Sequence, residues 1–115
     1  MHTTASGLVL MTAWSPERLD TYLAGQLQQP TPMTTTDPAA IRDRVSRAHA
    51  DGYAWSVEEA TLETCGLAVP INDRRGTVVA AVGLFGPLYR LSPSQEDLGP
   101  HLAKLAAEFT RGQGP

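Results

Sequence analysis

The chain has 115 residues, 42% of them hydrophobic and 18% charged, the composition of one globular domain with a single core. Nine Lys and Arg against twelve Asp and Glu leave a net charge of -3, so no long-range attraction for a phosphate backbone is expected, nor direct nucleic-acid binding by this chain. The single cysteine, Cys65, excludes an internal disulfide and suits a reducing cytoplasm. The apolar run from Gly7 to Ala13 is too short to cross a bilayer and has no basic segment before it.

In chain order, Thr3 or Thr4 can cap a first helix. Its run Leu8, Val9, Leu10, Met11, Ala13 and Trp14 is apolar on nearly every side and calls for burial. Ser15 and Pro16 open a second helix, with Glu17 in the first turn, an apolar stripe of Leu19, Tyr22, Leu23 and Leu27, and Gly25 weakening its end. Residues 28–36, QQPTPMTTT, read as a linker or an extended crossing rather than a packed element. Asp37 and Pro38 open a third helix with Ile41, Val45 and Ala48 inward, Arg42, Arg44 and Arg47 on the wet side, and Gly52 as its C-terminal cap.

Three strands follow. Residues 53–57 are short and rich in aromatics; residues 64–71 alternate Cys65, Leu67, Val69 and Ile71 with smaller or more polar neighbours. Residues 77–85, TVVAAVGLF, are apolar almost without a break, which suits a central strand covered on both sides. Asn72 to Gly76 has hairpin chemistry, so the sheet is antiparallel. A final helix is expected from a capping box at Ser92-Pro93-Ser94-Gln95, with a stripe of Leu98, Leu102, Leu105 and Phe109, an end near Gly112, and a kink or restart at Gly99-Pro100. Segregated helices and strands make the fold class α+β.

Few residues suggest chemistry. Glu58 and Glu59 are adjacent and so point to opposite faces of an extended chain; they read as a solvated turn rather than an acid–base pair. Cys65 has no signature linking it to His2, His49 or His101, and these four have no metal-ligand spacing, so neither a nucleophile nor a metal is expected. Arg74 and Arg75 read as a solvated hairpin turn. Trp14 and Trp55 read as core or interface aromatics.

Several segments in register resemble the effector-binding domain of IclR-type transcriptional regulators. They are His2-Thr3-Thr4-Ala5-Ser6-Gly7, the Asp37-Pro38 helix, Gly52-Tyr53-Ala54 with Glu58-Glu59, Leu67 to Asp73 with Gly76, Val78 to Ala81, Gly86-Pro87, and Arg90 to Pro93. The resemblance implies a GAF-like antiparallel sheet, truncated to about three strands, with helices on its faces. It implies that the winged helix-turn-helix domain, the linker helix and the first strands of the sensor domain are absent, which leaves exposed sheet edges and favours a homo-oligomer, dimer or tetramer. A non-enzymatic sensor without a cofactor is implied, its effector a small organic acid or an aromatic compound.

By the same resemblance the effector would meet the backbone amides of Ala5 and Ser6 at the helix start, and Ser56, Gly66, Gly83 and Phe85 on the sheet. Gly66, Gly83 and Phe85 stand where a glyoxylate-type pocket carries a thiol and hydroxyls, and Ser56 where it carries an acid. The expected ligand is therefore more apolar or aromatic, with Phe85 stacking on it, or else Phe85 fills the pocket and nothing binds. The competing reading is a ligand-free interaction module that pairs with itself or with a full-length paralogue.

Overall fold

Thr4 starts the first helix: its backbone is extended, its hydroxyl accepts the amide of Gly7 at 3.0 Å, and α1 (Ala5–Met11) follows. This is seen in a computed structural model, which describes residues 1–112, with side chains described as far as residue 108. Ser15 caps α2 (Pro16–Ala24) by accepting the amide of Arg18 at 3.1 Å. Asp37 caps α3 (Pro38–Asp51), and Gly52 ends it with a φ of 80°, the left-handed conformation that a glycine adopts without steric cost. Leu27 lies beyond the end of α2 but still packs against the core.

β1 (Ala54–Val57), β2 (Thr64–Asn72) and β3 (Val78–Pro87) form one antiparallel sheet in the order β1-β2-β3. The hairpin between β2 and β3 closes as its composition demands: the Asp73 carboxylate accepts the amides of Arg75 and Thr77 at 2.9 and 3.0 Å, and Gly76 has a φ of 81°. One face of the sheet is covered by α1, backed by α2 and α3. The resulting core joins Ala5, Leu8, Val9 and Met11 to Leu19, Leu23, Ile41, Val45, Ala54 and Ala68. The other face is covered by α4 (Leu98–Gly112), which packs against β2.

Three expectations are corrected here. The strand expected to be central, residues 77–85, is an edge: β2 takes the middle because β1 and β3 flank it, and β3 leaves Val79 60% and Phe85 68% exposed. β2 beside it is buried on both of its unlike faces, Gly66 and Ala68 forming the small face that lets α1 approach. The Ser92–Gln95 segment makes a capping-box bond, with the Gln95 side chain accepting the Ser92 amide at 2.8 Å, but it closes a turn; the helix itself begins at Leu98, with Pro100 harmless in its first turn. Leu105 is 47% exposed and Ala106 takes the inward place expected of it, while the Phe109 side chain lies outside the described residues.

The stretch 28–36 is docked rather than free. Thr31 and Thr34 are buried, and their hydroxyls donate to the carbonyls of Glu58 and Glu59 at 2.6 Å each, fixing the crossing to the β1–β2 loop.

Candidate functional site

The register places Ser56, Gly66 and Phe85 in one row across the three strands, and Ala54, Ala68 and Gly83 in the next. Both rows face α1. The start of that helix is tied to β1 by the buried Ser56 hydroxyl, which donates to the Thr3 carbonyl at 3.1 Å. A Cβ placed on Gly66 would meet the Ala5 Cβ at 3.6 Å and the Phe85 ring at 3.9 Å, so the missing side chain leaves the space between helix start and sheet.

That space is a cavity of about 30 Å³ between Thr3, Thr4 and Ala5 on one side and Ser56, Gly66 and Phe85 on the other, with Glu58, Glu59, Ala60 and Thr64 closing its end. It holds about one or two water molecules. Four of the six residues singled out from the sequence, Ala5, Ser56, Gly66 and Phe85, therefore surround one cavity. The other two meet one row further along, where the Ser6 hydroxyl stands 2.8 Å from the position a Cβ of Gly83 would take. The Thr4 hydroxyl and carbonyl use the amides of Gly7 and Leu8, leaving those of Ala5 and Ser6 as the first-turn donors over.

The electrostatics at the closed end differ from the sequence expectation. Glu59 is not part of a solvated turn: it is 5% exposed, one carboxylate oxygen is paired with the Arg44 guanidinium, and the other accepts the Thr35 amide at 3.0 Å. Arg44 is not on the wet side either, since its second nitrogen donates to the Trp55 carbonyl at 2.8 Å. A signal for this was present: Ile41, Arg44, Val45 and Ala48 follow the i, i+3, i+4, i+7 pattern, so Arg44 stands in the buried stripe. A charge in a stripe needs a buried partner. Glu58, at a φ of 58°, keeps its carboxylate within the loop, accepting the Glu63 amide at 3.3 Å.

Cys65 is 1% exposed, and burial pushes its thiol above the ordinary range, so it stays protonated and inert. His2 is engaged elsewhere, its ring nitrogens 2.6 Å from the Tyr22 hydroxyl and 2.7 Å from the Gln28 carbonyl. Among the described residues no group of three His, Cys, Asp or Glu side chains is placed to hold a metal ion, and no helix is long and apolar enough to cross a membrane.

The chain is similar to known proteins in sequence and in fold. The family model for the C-terminal domain of the bacterial transcriptional regulator IclR matches residues 1–111. The glycerol operon regulatory protein of Streptomyces griseus is 37% identical over 93 residues, covering 81% of this chain and 36% of that protein. Among solved structures, an IclR homologue of Microbacterium hydrocarbonoxydans complexed with 4-hydroxybenzoate is 29% identical with a TM-score of 0.81, covering 96% of this chain and 46% of that one. The inducer-binding domain of the PobR transcription factor from Acinetobacter, a double mutant in complex with 3-hydroxybenzoic acid, is 26% identical with a TM-score of 0.85, covering 95% of this chain and 64% of that one. The chain spans between 36% and 43% of the length of the first three curated relatives it matches.

Proposed function

This chain belongs to the IclR family of bacterial transcriptional regulators through their C-terminal domain, and from that premise we propose that it is a non-enzymatic, cytoplasmic sensor of a small aromatic or short-chain acid. The observation that carries this reading is the cavity between the start of α1 and the Ser56–Gly66–Phe85 row. Two relatives hold hydroxybenzoates, which favours an aromatic acid over a more polar effector.

The lining supports a division of labour. The amides of Ala5 and Ser6 are donors at a helix start and suit a carboxylate. Glu58 also lines the cavity, and the carboxylate oxygen that does not accept the Glu63 amide suits a hydroxyl donor on the same ligand. Phe85 is the residue that must move. Its ring borders a cavity too small for a benzoate, yet it is 68% exposed and so has little packing to lose on swinging out and stacking on the ligand. With a net charge of -3 the domain does not itself hold DNA, and it acts through the assembly it belongs to.

Thermal unfolding with 3-hydroxybenzoate, 4-hydroxybenzoate and short-chain acids tests the proposal. At a ligand concentration of about 100 Kd the stabilisation is about 2.7 kcal/mol, and it disappears in Gly66→Val, which fills the cavity. A panel in which no acid raises the melting temperature, or a shift that survives Gly66→Val unchanged, overturns it. A second reading, an interaction module, is favoured by a different observation, the exposed apolar side chains of β3, whose outer side pairs with no strand among the described residues.

A further inference from the structure

A second cleft, of about 340 Å³, lies between the C-terminal ends of α1 and α3 and the β2–β3 hairpin. It shares no lining residue with the cavity at the start of α1. Its volume is in the range of small-molecule sites, whereas the first cavity has room for about one or two water molecules. Val9, Pro70 and Val78 give it apolar walls, and Thr12, Asn72 and Thr77 polar ones.

Asn72 carries the unusual feature. Its side-chain oxygen is buried, and no described residue donates a hydrogen bond to it. Buried acceptors left without a donor are costly and rare. The backbone is also irregular at this point: Ile71 pairs with Ala80 but Asn72 with Val78, so Val79 is an extra, bulged residue, 60% exposed. Bulges re-aim side chains beside functional sites, and this one brings Val78 level with Asn72 on the cleft wall.

Hydrogen bonding on the wall is one-sided. The amides of Thr12, Ala13, Gly52 and Gly76 already donate to the carbonyls of Val9, Leu10, Ala48 and Asp73, and the Thr77 amide donates to the Asp73 carboxylate. The Thr12 hydroxyl donates to the Val9 carbonyl at 2.6 Å, so towards the cleft it only accepts. Two helices end here, at Met11 and Asp51, each with a partial negative charge. Among the described residues no Asp, Glu, Lys or Arg lines the cleft. An anion therefore meets no counter-charge and few donors beyond the Asn72 amide nitrogen and the exposed His49 ring, and a cation meets no carboxylate.

We propose that this cleft is a second ligand site, for a small uncharged molecule with an apolar body and a hydrogen-bond donor, of the alcohol or primary-amide class. The body lies against Val9, Pro70 and Val78. A turn of the Asn72 amide about its soft terminal torsion presents the oxygen to the donor, and the Thr12 hydroxyl accepts a second one where the ligand has it.

The test is a backbone-amide titration of the 115-residue chain with four cyclohexane derivatives of similar size: cyclohexanol, cyclohexanecarboxamide, methoxycyclohexane and cyclohexanecarboxylate. Saturable shifts at Thr12, Ala13, Asn72, Gly76 and Thr77 are expected with the alcohol, the amide or both, at an affinity about tenfold or more above that of the ether and the carboxylate. Asn72→Leu lowers that affinity about tenfold while the melting temperature of the free chain holds or rises, because no bond is lost. Ala13→Phe, at an exposed position on the wall, fills the cleft and abolishes the shifts with the circular dichroism unchanged. The comparison among the four compounds needs no variant and so decides even where a substitution prevents folding. No saturable shift with any of them, an ether or carboxylate that binds as tightly as the alcohol and the amide, shifts confined to Ser56, Gly66 and Phe85, or binding and melting that show Asn72 already satisfied in the free chain overturns the proposal. The hydroxybenzoate response at the start of α1 fails or survives independently, since the two sites have no lining residue in common.

Discussion

Glu59 and Arg44 hold together parts of the chain that composition kept apart. Their ion pair joins α3 to the β1–β2 loop, and the Glu59 carboxylate also anchors the Thr35 amide, so one buried pair fixes helix, loop and crossing segment. Glu59→Ala leaves Arg44 without its counter-charge and costs about 3 kcal/mol, read as a lower urea midpoint with an unchanged slope. At Cys65, burial favours the neutral thiol. The folded state keeps the proton where the unfolded chain loses it, so the contribution is complete below the ordinary thiol pKa of about 8.5 and is lost as pH rises through the higher folded value. A thiol reagent at neutral pH therefore labels Cys65 slowly in the folded chain and at the free-thiol rate in urea. Fast native labelling contradicts this burial. At this scale the glycines and the cap residues were legible in the sequence, because each answers a local backbone need. The Glu59–Arg44 pair was legible only by half: the helical stripe marks Arg44 as needing a buried partner, but Glu59 lies 15 residues away and nothing local singles it out.

Among the elements, those with local punctuation were readable. Ser15, Asp37 and Gly52 mark the ends of α2 and α3 where the structure has them, and the Asn72–Gly76 turn forms as its residues require. Gly52→Ala forces a Cβ into a left-handed backbone and costs about 1 kcal/mol, measurable in the same urea titration. Neighbour relations were less readable. The unbroken apolar run of β3 reports a demand for cover on both faces, but not which strand lies beside it, so the strand read as central is an edge. The alternation in β2 reads as two unlike faces, and both are buried, the Gly66 and Ala68 face against α1. α4 starts later than its capping motif because Ser92–Gln95 closes a separate turn.

For the molecule as described, two layers of helix enclose a three-stranded sheet whose α1 side holds a small cavity and in which β3 is an edge strand among the described residues. The candidate site was legible to the extent that four of six chosen residues surround that cavity; its small volume was not, since it depends on where the Phe85 ring lies. Phe85 and Leu84 are adjacent in β3 but point to opposite faces of the sheet, so the cavity on the α1 side is bordered by Phe85 and not by Leu84. The most direct test of the sensor account is a titration of the isotopically labelled chain with 4-hydroxybenzoate, following backbone amide resonances. The account predicts saturable shifts concentrated at Ala5, Ser6, Ser56, Gly66 and Phe85. Spectra that do not change, or saturable shifts confined to the Asn72–Gly76 hairpin or to α4, would contradict it.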